Sequence, residues 1–305
     1  MQTKQKIKQY LMDNRQATGS ELAGFLGISD RAVRKQLASL LERGEVAKKG
    51  MPPKVYYYMV DENTKVAPLD LNHELEQVVE NNYLIVTPGG KRLDGIKGFE
   101  YWCAKTKQPL AKTTDEYVAM QQKFEKYKMK NGLIDGKIKL KNALGEVFLN
   151  EVYYLDFYSI DRFGKTKLGQ LILLAKQGQN KGLMREIIQI IKPRISYLIK
   201  KYNISAIGFV PPTVKRQVQL MIELKKLLKF QLGEVVIEKV RSNYLVPQKT
   251  LSKLADRIEN ARDTMVVRGE AVDGNILLID DAVGSGATLN ETAKQMRERG
   301  MVKGK

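Results

Sequence analysis

Apolar side chains recur along this chain with two different periods, and the change between them marks where its character shifts. Over residues 1–60 the spacing is helical. Ile7 and Leu11 predict one helix, and in TGSELAGFLG the residues Leu22, Phe25 and Leu26 form the buried stripe of a second, with Thr18 and Glu21 at capping-box spacing. Ser29 stands where an N-cap belongs, ahead of a third stripe of Val33, Leu37, Leu40 and Leu41 that Gly44 brings to a stop. Val46 to Lys48 and Lys54 to Val60 then read as two short strands around KGMPP, with alternation in VYYYMV.

Residues 61–130 are less regular. DENTKVAPLD reads as a linker, LNHELEQVVENNYLIV as a helix running toward a strand, and TTDEYVAMQQKFEKYKMK as a helix that starts at a Thr cap. PGGKRLDGIKGFEYWCAKTKQPL has no clear period, and its Phe99 and Trp102 are expected as core anchors. From about residue 131, strand and helix patterns alternate. VFLNEVYYLDFY, ISAIGFVPP, GEVVIEKV and NILLID predict strands. GLMREIIQIIKPRISYLIKKYN, VKRQVQLMIELKKLLKF, LSKLADRIENAR and ATLNETAKQMRERG predict helices. This succession predicts an α/β class with a mostly parallel sheet flanked by helices, and places residues 280–288 at the carboxyl ends of strands, where such sheets bind ligands. The expected domains are 1–62, a connecting region 63–130 to which no chemistry is assigned, and 131–305.

Charge sharpens the picture. Lys and Arg number 52 against 34 Asp and Glu, a net charge of +18, which favours a polyanionic partner. Cys103 and His73 are alone of their kinds, which excludes a disulfide framework, a cysteine-rich zinc site and paired-histidine catalysis within these residues. His73 falls in an acidic helical segment and is expected at the surface. No apolar run approaches the roughly 20 residues that span a bilayer, so the expected location is the reducing cytoplasm, with no membrane partner.

The stretch NILLIDDAVGSGATLNET, residues 275–292, carries the chemistry. A short apolar strand delivers Asp280 and Asp281 at its end. The loop Gly284-Ser285-Gly286-Ala287 can turn several amide N–H groups toward one point, because glycine permits tight positive-φ geometry and close approach of a ligand. Thr288 and Glu291 have capping-box spacing, so the loop is expected at the positive end of the next helix. A phosphate suits the amides, and hydroxyls or a metal suit the carboxylates. Sugar phosphates supply both, which predicts a pentose 5-phosphate site.

ILLIDDAVGSGATL resembles the phosphoribosyl pyrophosphate signature of type I phosphoribosyltransferases. Other stretches are similar to the ComF-like branch of that family: LLAKQGQNKGLMREI to its lysine-containing helix and turn at Lys176, IGFVPP to its Val-Pro strand end, and PQKTLSKLADRIENAR to its Gln-Leu-Arg-Asn segment at Gln248, Leu251, Asn260 and Arg262. The likeness covers roughly residues 150–300. It implies that Gly284, Ser285, Gly286, Ala287 and Thr288 bind phosphoribosyl pyrophosphate (PRPP), that Asp280 and Asp281 are the catalytic carboxylates, and that Mg²⁺ arrives with PRPP beside the same two acids. Where the family carries Arg-Gly-Phe-Asn-Gln, this chain has VPPTVKRQVQ, leaving Lys215 and Arg216 as cations for the pyrophosphate. The cysteine-rich zinc module of ComF proteins is absent from these residues, and a further strand is expected after Gly300.

The first sixty residues resemble a winged helix-turn-helix. They hold 11 Lys and Arg against 5 Asp and Glu, a net of +6, and the helical period turns Arg31, Arg34 and Lys35 away from the apolar stripe. That face is expected to enter a major groove, with Lys48, Lys49 and Lys54 of the wing on phosphates. The expected partners are duplex DNA, PRPP or a related nucleotide, and a second copy of the chain in a homodimer. The leading expectation is a ligand-responsive DNA-binding regulator, in plan like the purine repressors. The alternatives are an active Mg²⁺-dependent transferase to a base or nucleic acid, including a bacterial defence effector, and a ComF-like DNA uptake factor.

Overall fold

The computed structural model describes residues 3–60, 73–214, 216–240, 244, 246 and 248–304. They fall into two units, one formed by Met1–Asp70 with Val86–Lys91 and the other by Leu71–Ile85 with Arg92–Lys305.

The first unit runs Thr3–Asn14 (α1), Ala17–Thr18 (β1), Gly19–Leu26 (α2), Asp30–Glu42 (α3), Val46–Met51 (β2) and Lys54–Met59 (β3). Thr18 caps α2 through a complete capping box: its hydroxyl accepts from the Glu21 N–H, and the Glu21 carboxylate accepts from the Thr18 N–H. Ser29 caps α3 by accepting from the Ala32 N–H, and Gly44 sits beyond its end at φ +67°. Ile7, Leu11, Leu22, Val33, Leu37, Leu40 and Val46 close a single core. The sheet has the order β1-β3-β2, all antiparallel, so the hairpin gains a third strand that the sequence pattern does not announce. Phe25 departs from expectation. Leu22 and Leu26 occupy the buried side of the eight-residue α2, which leaves Phe25 54% exposed with its ring against Tyr10, centroids 4.5 Å apart.

The second unit continues with His73–Asn82 (α4), Leu84–Val86 (β4, whose last residue belongs to the first unit), Arg92–Asp94 (β5), Gly95–Thr106 (α5), Leu110–Glu125 (α6), Ile134–Asp135 (β6) and Lys137–Leu144 (α7). Then come Tyr153–Tyr154 (β7), Ser159–Ile160 (β8), Gly164–Lys165 (β9), Lys167–Gly178 (α8), Lys181–Lys201 (α9) and Ile204–Phe209 (β10). Leu220–Leu228 (α10), Gly233–Lys239 (β11), Leu254–Thr264 (α11), Met265–Arg268 (β12), Asn275–Ile279 (β13) and Ala287–Glu298 (α12) complete it.

Helices α4 to α6 surround an aromatic cluster in which Phe99 is fully buried and Tyr83, Trp102, Tyr117 and Phe163 pack about it, as expected of Phe99 and Trp102. Helix α6 begins at Leu110 behind Pro109, earlier than the predicted Thr cap. Thr113 and Thr114 lie buried inside it, their hydroxyls bound to the carbonyls of Pro109 (2.6 Å) and Leu110 (2.9 Å). Of the strand predicted over VFLNEVYYLDFY, only Tyr153–Tyr154 pairs, against Ile134–Asp135. Helix α10 covers only the second half of its predicted span, and β12 is an additional strand.

Strand β10 lies between β11 and β13, parallel to both, while β12 runs antiparallel at the outer edge of β11. Side chains alternate between two cores, as the period of a strand requires. Phe209, Leu277 and Ile279 join α8, α9 and α10 on one face, while Ala206, Val235, Ile276 and Leu278 join α11 and α12 on the other. Among the described residues β13 is an edge strand. A cavity of about 1100 Å³ runs along it, walled by Leu168, Ile191, Leu277 and Leu289 and reaching Asp280 and Asp281. After Gly300, where the family resemblance implies a further strand, Val302 forms a parallel bridge with Val272.

Candidate functional site

Two neighbouring parallel strands send their following helices to opposite faces of the sheet: β10 leads to α10 on one side, β13 to α12 on the other. Chain departure in opposite directions opens a crevice at the carboxyl ends of such strands. The Val210 N–H still donates to the Ile279 carbonyl at 2.9 Å, so the strands stay paired up to the point where Asp280 begins.

Burial, first, and the neighbouring Asp281 carboxylate, second, push the Asp280 carboxyl up to about 7. Amide hydrogens of Asp281, 2.8 Å away, and Ala282 work against that rise, as does the Lys176 ammonium. Lys176, in the last turn of α8, places Nζ 2.7 Å from Asp281 Oδ2. The acid pair is therefore divided in role, with Asp281 held by a cation and Asp280 poised to titrate near neutrality. Tyr158 faces the same pair, and burial foremost, then Asp281, raises its hydroxyl above the ordinary value.

Beyond the acids the loop takes the shape that glycine allows. Gly286 has φ +79° and is the residue from which α12 departs; a Cβ there would meet Leu140 Cδ1 at 2.4 Å. This corrects the predicted capping box. With Gly286 already in the left-handed conformation, the helix starts at Ala287, and Thr288 lies inside its first turn, where its carbonyl accepts from the Thr292 hydroxyl at 2.7 Å. No side chain caps α12. Only a long contact, 3.4 Å from the Ala287 N–H to Ser285 Oγ, engages the loop amides, and those of Gly284, Ser285 and Gly286 meet no hydrogen-bond acceptor among the described residues. Free amides at a helix start are what an anion binds.

Arg257 of α11 lies over this loop, a residue that sequence reasoning missed. Its Nη1 is 3.7 Å from where a Cβ on Gly284 would stand, its Nε donates to the Leu251 carbonyl at 2.8 Å, and its own carbonyl accepts from Gln248 Nε2 at 2.8 Å. Asn260, one turn onward, was the available signal. Asn260 itself accepts from Lys239 Nζ at 3.3 Å, and Arg262 points to solvent in a pair with Asp263, 3.0 Å. Arg216 is half-buried in the loop that leaves β10, and Lys215 lies outside the described residues. The fold thus brings together Asp280, Asp281, Gly284 to Thr288, Lys176 and Arg257. Among the described residues no group of three or more His, Cys, Asp or Glu side chains could hold a metal ion. Two adjacent carboxylates suit Mg²⁺ only if a ligand supplies further oxygens.

In the first unit Arg31, Arg34 and Lys35 are exposed on α3, opposite the buried Val33, Leu37 and Leu40. Lys48, Lys49 and Lys54 are exposed along β2 and β3, with Lys49 Nζ 5.8 Å from the Tyr58 ring centre. His73 is also exposed. Among the described residues no helix is long and apolar enough to cross a membrane. Compared with curated proteins and with solved structures, the chain finds no match. Residues 3–51 match the family described as HTH domain, and with its antiparallel hairpin this amino-terminal unit is a winged helix-turn-helix.

Proposed function

We propose that this chain is a DNA-binding regulator whose second unit takes PRPP, or a related nucleotide, as its ligand in a phosphoribosyltransferase-like site. The observation that carries the reading is the junction of β13 and α12: two carboxylates at a strand end, then open amides and Gly286 at a helix start. Ribose hydroxyls would donate to Asp280 and Asp281, while the 5-phosphate would accept from the loop amides of Gly284 to Thr288 and from Arg257. Asp280 and Asp281 would hold Mg²⁺ where it arrives with the ligand, and the ion would neutralise the negative charge of the pyrophosphate. On the DNA side, α3 would enter the major groove with Arg31, Arg34 and Lys35, and Lys48, Lys49 and Lys54 would neutralise phosphates.

A ligand changes DNA affinity only if it binds two states of the protein unequally, and the coupling is reciprocal. Isothermal titration with PRPP and Mg²⁺, with and without duplex DNA, tests both halves at once. Binding by the unaltered protein, its loss in Asp281→Asn with an unchanged melting curve, and a different PRPP affinity on DNA are the expected results. Unchanged PRPP affinity in Asp281→Asn would refute the carboxylate's role. Release of pyrophosphate from PRPP in the presence of a base would replace the regulator by a transferase.

A further inference from the structure

The tip of the wing differs in chemistry from the strands that carry it. Lys48 pairs with Tyr57, Lys49 with Tyr56 and Met51 with Lys54, which leaves Pro52 and Pro53 as the two residues of the turn. Strand alternation turns Val46, Tyr57 and Met59 toward the core, and Lys49, Met51, Lys54, Tyr56 and Tyr58 to the opposite face. Met51 is 82% exposed, Pro52 and Pro53 are exposed beside it, and the exposed Lys48, Lys49 and Lys54 bracket all three. No carboxylate occurs between Glu45 and Asp61, and Glu45 is itself held by Lys8 Nζ at 2.8 Å. The hairpin is therefore a cationic surface that ends in an apolar point.

That point is built to keep its shape. Gly50 has φ +88°, and a Cβ there would overlap the Lys54 carbonyl oxygen, so the strands close tightly just behind the tip. Each proline fixes its own φ and lacks an N–H. Two-residue hairpin turns commonly carry Asn-Gly or Asp-Gly, whose polar groups suit water. Pro52 and Pro53 offer neither a polar side chain nor an amide, to water or to a phosphate. What they present with Met51 is apolar surface in one conformation. Phosphates and groove edges call for donors and charge, whereas a flat apolar surface becomes available on a duplex where two stacked base pairs part. Met and Pro are among the side chains that part such steps from the minor groove, which is about 6 Å wide and admits side chains but not a whole hairpin.

Resting on the DNA-binding reading above, we infer that Met51, Pro52 and Pro53 form a wedge that enters the minor groove, unstacks one base step and bends the duplex. Lys48, Lys49 and Lys54 grip the flanking phosphates and hold the wedge in place. Pyrimidine–purine steps open most easily, so the wedge gives the protein a preference for a flexible step at a position where no side chain reads a base edge.

The test uses the full chain and a mixed-sequence duplex with a fluorophore pair at its ends, and compares the unaltered protein with Met51→Ser and Met51→Leu. Energy transfer reads the bend, and permanganate reactivity of thymines reads unstacking. The unaltered protein should bend the duplex by about 20° or more and expose thymines at pyrimidine–purine steps. Met51→Ser should lose both signals, weaken binding by less than about tenfold, and keep the slope of log K against log salt, because methionine carries no charge. Met51→Leu, still apolar, should retain the bend. Binding without a bend or exposed thymines would overturn the inference and leave DNA binding standing; so would signals that Met51→Ser keeps in full. Binding to phosphatidylserine vesicles that Met51→Ser abolishes, with no thymine exposed, would assign the tip to a lipid surface instead. If the unaltered protein binds no duplex at any salt concentration, the DNA-binding reading itself falls and this one with it. Melting curves of the two variants separate a folding defect from a lost wedge.

Discussion

Gly284 and Gly286 are indistinguishable in composition and flank the same serine, yet the structure predicts opposite responses to alanine. At Gly286 φ is +79°, a region that costs an L residue roughly 1–2 kcal/mol, and the new methyl would stand 2.4 Å from Leu140 Cδ1. Leu140 is 1% exposed, so it cannot turn out into water, and overpacking of this kind costs typically 1–3 kcal/mol. Stiffening of the unfolded chain returns about 0.4–1 kcal/mol. Gly286→Ala should therefore lower stability by about 2–4 kcal/mol. At Gly284 the nearest atom to an added methyl is Arg257 Nη1 at 3.7 Å, an ordinary contact, and Gly284→Ala should stay within about 0.5 kcal/mol. Urea unfolding followed by the fluorescence of Trp102, the single tryptophan, reports on the unit that contains both glycines. In a Leu140→Ala background the cost of Gly286→Ala should shrink to the backbone part less the same return from the unfolded chain, about 1 kcal/mol. Equal costs for the two glycines, or an equal cost of Gly286→Ala with and without Leu140, would refute the placement of α7 against the start of α12.

Two further outcomes follow from the same geometry. Because the Asp280 carboxyl is raised from its ordinary 3.8 to about 7, the folded state holds a proton that the unfolded chain gives up. Its contribution to stability is therefore full below pH 3.8 and lost as pH rises through about 7. Urea midpoints from pH 5 to 8 should fall more for the unaltered protein than for Asp280→Asn, and parallel curves would contradict the burial of that acid. Arg34→Ala with Lys35→Ala should weaken duplex binding and reduce the slope of log K against log salt by about 0.9 for each phosphate left without its cation; a gel-shift titration unaltered at every salt concentration would assign α3 to protein contacts.

Local signals in the sequence were reliable where the neighbours in space are also neighbours in the chain. Thr18 with Glu21, Ser29 and Gly44 act where their spacing says, because a cap or a helix stop needs only three or four consecutive residues. Asn275–Ile279 reads as a strand and is one. Thr288 and Glu291 carry the same spacing as Thr18 and Glu21 and do not cap, since Gly286 under Leu140 already sets the helix start. The alternation in VFLNEVYYLDFY was equally misleading. Its side chains line a cavity rather than a neighbouring strand, and only Tyr153–Tyr154 finds a partner.

By itself the sequence determined the helices and strands with strong periods, the polarity of α3, and the order of strand, acid pair, glycine loop and helix at 275–298. Those follow from backbone geometry and from which face of an element must leave water. Tertiary structure alone decided that Lys176 closes on Asp281, that Arg257 covers the loop of Gly284, that Arg262 stands aside, and that β10 rather than β12 borders β13. Each of these joins groups far apart in the chain, and the choice rests on sheet order and on how much water each charge keeps, quantities that no short stretch of residues contains.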